Sequence, residues 1–218
     1  MPAYAHRSRA ALLALATPLV AAARELFTDA TVLDAARAVE EAAVALDVEV
    51  GGRRAATARL SAEAASVSEA ELSLDRRVGG LHRALEGLAA LGLGVAEDLA
   101  ERLFPAGLAT VTGPHGRAQV PEYQRLADAL QDALDLPGAE RLAPMLEELR
   151  DDLRAWCAAT LAKDGTHRVG ASRAAGAKEA AVALKQALMH LDRCVELVAG
   201  GPAGELYQRW ALVVRGIA

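Results

Sequence analysis

The chain has 218 residues, of which 53% are hydrophobic but only 3% aromatic, and its formal net charge is −5. That length can bury a sizeable core, and an interior made mostly of Ala and Leu suits closely packed helices rather than a thick core of rings. The mild acidic balance, with both signs interspersed, excludes a dedicated nucleic-acid surface. Two cysteines, Cys157 and Cys194, with no CxxC pairing, point to reduced thiols in a cytoplasmic protein.

At the N-terminus, Arg7 and Arg9 precede an apolar run from Ala10 to Ala23, the outline of a secretory signal. The run is too short to span a bilayer. Only Arg7, Arg9 and Arg24 decorate it, which is thin for a helix lying on a membrane surface. We read it as a first short helix of the fold, and membrane association is not expected. Thr28 and Asp29 then offer N-cap oxygens. From Val32 the residues Val32, Ala36, Val39, Ala43, Leu46, Val50, Thr57, Leu60, Ala64 and Val67 recur at steps of four and three, interrupted at Arg53, which is a heptad seam. Gly51-Gly52 predicts a loosened or kinked helix. The Val67-Ser68-Glu69 neighbourhood predicts a turn, with one continuous bent helix as the alternative.

A second seam follows: Leu74, Val78, Leu81, Leu85, Leu88, Gly92, Val95 and Leu99. Pro105, Gly107, Gly113, Pro114 and Gly116 close the first half, and 104–120 reads as a linker. A short helix is expected over 122–135, ended by Pro137-Gly138. A long one is expected over 139–163, with Leu142, Leu146, Leu149, Leu153 and Trp156 as its seam and a stop at Lys163-Asp164-Gly165. The last seam is Ala177, Ala181, Leu184, Leu188, Leu191, Val195 and Val198, before a strong stop at Gly200-Gly201-Pro202. No convincing alternating strand appears. The two β-flavoured stretches, 106–112 and 211–217, are expected to form equivalent hooks.

Shifting the chain by 103 positions lays its second half on its first without a gap. Over residues 80–113 and 183–216, ten of 34 pairs are identical, among them Leu81/Leu184, Leu85/Leu188, Leu88/Leu191 and Leu103/Leu206. Phe104 faces Tyr207, and Pro18 faces Pro121. The expectation is an all-α protein: an elongated bundle of four long helices plus short ones, in two related halves about a pseudo-twofold axis. The halves are 1–113 and 114–218, each a short helix, two long helices and a hook, packing as one domain.

Glu147, Glu148, Asp151 and Asp152 put two carboxylate pairs one turn apart on a helix, and clustered oxygens suit a hard divalent cation. The motif is similar to the acidic helices of metal-dependent nucleotide pyrophosphatases and of helical phosphate-signalling regulators, which implies metal-assisted phosphate chemistry. The facing positions 44–49 lack it. The competing reading is a solvated helix face with Arg150 and Arg154 as ion-pair partners. Arg168, Arg173 and Lys178 lie in a glycine-containing, acid-free segment, 165–178, expected to be a turn leading into a helix N-terminus and thus an anion site. His190 and Cys194 are one turn apart, without a third ligand. No nucleophile–base pair and no cofactor motif is present. The functional expectation is a non-enzymatic helical scaffold or interaction module that binds a protein partner or itself. The alternative is a metal- or anion-binding regulator, or a metal-dependent hydrolase, using 147–152 or 165–178.

Overall fold

A computed structural model describes residues 4, 6–113, 119–136 and 139–217 (of Ile217, the backbone), and every regular element among them is helical. Helix α1 runs Arg9–Leu26. Ser8 caps it by accepting the Ala11 N–H at 3.2 Å, and the chain leaves through an extended Phe27. Helix α2, Ala30–Ala90, is opened by Asp29, whose Oδ1 accepts the Thr31 N–H at 2.8 Å. Helices α3 (Gly94–Leu103) and α4 (Leu108–Thr112) follow turns at Gly92 and Gly107, whose φ of 87° and 84° lie where only glycine is unstrained. Helix α5 is Val120–Ala133; a 3-10 turn, Ala139–Leu142, leads into α6, Ala143–Val198. Gly200 and Gly201 stop α6, the Gly201 N–H bonding back to the Glu196 carbonyl at 2.8 Å. Helix α7, Glu205–Ile217, closes the chain.

Where four long helices were expected, α2 and α6 each continue. The expected turn at 67–69 and the expected stop at 163–165 both lie inside unbroken helix, as does Gly51-Gly52. None of these places holds a proline. An interior glycine costs only about 1 kcal/mol, which Ala, Leu, Arg and Glu on either side offset. The β-flavoured stretches are helical too, one as α4 and the other as the end of α7. Pro18 sits inside α1 whereas Pro121 lies in the first turn of α5, so the two prolines do different work. Pro114, Gly116 and Pro137-Gly138 lie outside the described residues.

Contacts gather the chain into two units, Met1–Ala58 with His167–Ala218, and Arg59–Thr166. The expected halves, 1–113 and 114–218, therefore each contribute to both. In the first unit, Leu12, Leu15, Leu19 and Ala23 of α1 pack with Val32, Ala36, Val39 and Leu46 of α2 and with Leu184, Leu188, Leu191 and Val195 of α6. Trp210 of α7 meets Phe27 edge-on, with ring centroids 6.5 Å apart at 74°. In the second unit, Leu74, Val78, Leu81 and Leu85 of α2 pack with Leu99 and Leu103, with Tyr123, Leu126 and Leu130 of α5, and with Leu146, Leu149, Leu153 and Trp156 of α6. The sets on α2 and α6 belong to the expected seams, of which Thr57 and Val198 are exposed; those on α1 and α5 were not among them. Among the described residues, no helix is long and apolar enough to cross a membrane.

Candidate functional site

The acidic run lies on α6 in the second unit. Residues one turn apart share a face, so 147/151 and 148/152 form two stripes on neighbouring faces. Glu148 and Asp152 meet Arg77 of α2, whose Nη1 and Nε donate to them at 2.5 and 3.1 Å. Glu147 accepts from Arg150 at 3.4 Å, and Asp151 accepts from Arg154. Each of the four carboxylates therefore accepts from an arginine, and Arg77 bridges Glu148 and Asp152. Among the described residues, no group of three or more His, Cys, Asp and Glu side chains is placed to hold a metal ion.

The 165–178 segment is interior helix in α6, not a turn, so its N–H groups are spent on the helical ladder and offer nothing to an anion. Arg168, Arg173 and Lys178 follow at intervals of five residues and thus point in three directions, about 140° apart in sequence order. Arg173 donates to Glu49 of α2 at 2.9 Å. Glycines on both helices make room for that pair: a Cβ at Gly52 would stand 3.1 Å from Arg173 Nε, and one at Gly176 would stand 2.8 Å from Glu49 Oε2. Arg168 and Lys178 are exposed. His190 Nε2 and Cys194 Sγ lie 3.6 Å apart, and burial pushes the Cys194 thiol up, away from the thiolate a metal needs.

Each unit also contains a contact that the sequence reading missed, a long-helix aspartate set against a buried tyrosine. In the second unit Tyr123 of α5 donates to Asp75 Oδ1 of α2, which also accepts from Gln119 at 3.4 Å. In the first, Asp192 of α6 accepts the Trp210 indole N–H at 3.2 Å, and the buried Tyr4 hydroxyl lies close to the same carboxylate, short of a well-formed hydrogen bond. Burial, and then the neighbouring carboxylate, push both phenols above their usual range. The one available signal was rarity: in a chain with two Trp, two Phe and three Tyr, each ring is a candidate anchor, and a buried ring N–H or O–H needs a partner. These contacts fasten short segments to long helices.

Burial pushes the Asp192 carboxyl up, with the nearby Tyr4 hydroxyl and the Trp210 indole N–H opposing it. A folded-state value above the unfolded one means the folded chain holds a proton that the unfolded chain has lost. Stability from this group is therefore present at low pH and declines as pH rises from the usual carboxylate range through the raised value. Wild type is expected to lose stability relative to Asp192→Asn across that window. Urea midpoints of both chains over a pH series check this, and a constant difference would show that Asp192 does not titrate there.

The surface carries open grooves. One of about 690 Å³ in the second unit is lined by Ser66, Glu69, Ser73, Arg76 and Asp152 among alanines and Leu72. Another of about 320 Å³ in the first lies between α1 and α2, lined by Ala16, Thr17, Val20, Ala21, Ala43 and Val44, with the Arg24–Glu40 ion pair beside it at 2.6 Å. The class that this architecture defines is an all-helical protein with two long helices. No family profile matches the chain, and no curated protein or solved structure is significantly similar to it.

Proposed function

We propose that the chain is a non-enzymatic helical scaffold or protein–protein interaction module, acting in the cytoplasm on a protein partner or on itself. One observation carries the reading: the acidic residues best suited to chemistry are all engaged by arginines, while valines and leucines of α2 and α6 stay outside, among them Val44, Val48, Leu161 and Val169. A catalytic site needs convergent, unspent polar groups in a concavity. Exposed apolar side chains on a rigid helix instead suit another helix.

We further propose that the two halves descend from one unit about a pseudo-twofold axis. The recurring order of short helix then very long helix supports this, as do the matched burials of Leu81 with Leu184 and of Leu85 with Leu188. Beyond the long helices the 103-residue offset drifts, since Leu103 is buried and Leu206 is 38% exposed. The four-helix description then applies to the two segments of α2 and the two of α6.

Titrating the purified full chain with Mg²⁺, Mn²⁺, Zn²⁺ and inorganic phosphate tests the functional reading. No saturable heat and no rise in melting temperature is expected. A ligand at a hundredfold excess over its Kd would stabilise the fold by about 2.7 kcal/mol, so a clear rise with any of the four would replace this reading with the metal- or anion-binding one.

A further inference from the structure

Resting on the interaction reading above, we infer that the outward face of α2 in the first unit, from Val44 to Ala58, pairs antiparallel with the same face of a second copy of this chain. The side of α2 turned toward α6 is fixed by Leu46 and Ala56, both buried, by Glu49 in its ion pair with Arg173, and by Gly52 against that arginine. Two residues further along is about 200° round the helix, so Val48, Gly51 and Ala58 look away from α6. With Val44 and Ala55 they make the series 44, 48, 51, 55, 58, which has the alternating spacing of a coiled-coil seam. Every position in it is uncharged and exposed, Val44 at 61% and Val48 at 58%. The preceding positions of the same series are Arg37 and Glu41, so the apolar stripe has a defined start. Val44 also forms one lip of the groove shared with Thr17, Val20 and Ala21 of α1, which widens the apolar surface.

The charges beside the stripe select the occupant. In an antiparallel pair the two kinds of seam position pack on each other, so Val48 meets Gly51 of the second copy and Val44 meets its Ala55. The positions flanking one edge are then Asp47 and Arg54, and that register sets Asp47 of each copy beside Arg54 of the other, twice per dimer. Both residues are exposed, and among the described residues neither has an ion-pair partner. The other edge carries Ala45 and Gly52, with the Arg173 side chain of α6 lying beside Gly52 in its ion pair with Glu49. A parallel, in-register pair would instead bring Arg54 beside Arg59 of the copy, a like-charge contact. The stripe is thus complementary to itself in one orientation.

Sedimentation equilibrium on the full chain tests this. Wild type is expected to be a reversible dimer in the micromolar range, as suits a modest interface. Asp47→Arg and Arg54→Asp each turn two attractions into two repulsions and are expected to weaken the dimer about tenfold. The double variant D47R/R54D restores the pairing and is expected to return to near wild-type affinity. Val48→Glu is expected to yield a monomer. Circular-dichroism melts of these exposed-site variants should match wild type, which separates lost pairing from lost folding. A wild-type monomer throughout the range overturns the inference, as does a dimer that tolerates Val48→Glu or a double variant that fails to recover. Those results leave the interaction reading intact, because it falls only to saturable cation or phosphate binding, measured separately.

Discussion

Trp210→Ala is expected to lower the unfolding free energy by about 3–5 kcal/mol, the range for removing a large buried ring. Three contacts go at once. The indole is 2% exposed, so its area returns to water or leaves a cavity. Its edge-on contact with Phe27, at the junction of α1 and α2, is lost. Its N–H no longer reaches Asp192, whose carboxylate then stays in a desolvated place with one donor fewer. Since α7 is held to α1 and α6 largely by this ring and the half-buried Tyr207, Val213 and Val214, we expect α7 to exchange its amide hydrogens quickly in the variant. Trp210→Phe separates the terms: it keeps most of the packing and removes only the donor, at about 1–3 kcal/mol. Urea unfolding followed by circular dichroism gives both numbers. A Trp210→Ala chain as stable as wild type would show that α7 is not anchored by this residue.

Phe104→Ala is expected to cost about 3–5 kcal/mol on the same grounds. Phe104 ends α3, its N–H bonding to the Ala100 carbonyl at 3.0 Å while its own carbonyl accepts from Gly107 at 2.9 Å. Its ring is buried against His82 of α2, edge-on at 4.8 Å. Next to it, Arg125 of α5 donates to the Leu103 carbonyl at 3.1 Å, so losing the ring loosens a corner where α2, α3 and α5 meet. Tyr207→Ala is the instructive comparison. The repeat pairs it with Phe104, but it is half-buried within α7, so a smaller loss is expected. Equal losses in thermal melts would mean that the two rings carry equal loads after all.

The all-helical class, the inward seams, the Asp29 cap and the double-glycine stop after α6 were legible in the sequence because their causes are local. Apolar spacing fixes which face a helix buries, a carboxylate at Asp29 satisfies the Thr31 N–H, and Gly200 and Gly201 adopt φ values of 76° and 89° that other residues avoid. Continuity was not legible. At 67–69 and at Gly165 local preference is nearly neutral, so the tertiary packing of α2 with α6 decides, and it favours unbroken helix. Partnership was not legible either. The sequence places Glu147, Glu148, Asp151 and Asp152 on adjacent faces, but only the fold brings in Arg77 from α2, a residue 71 positions from Glu148. Arg173 and Glu49 are 124 positions apart, and their pairing removes from the supposed anion site its central cation. Periodicity determines which side of each helix turns inward. Which charge meets which depends on how distant turns align once those sides are buried, and that is settled only in three dimensions.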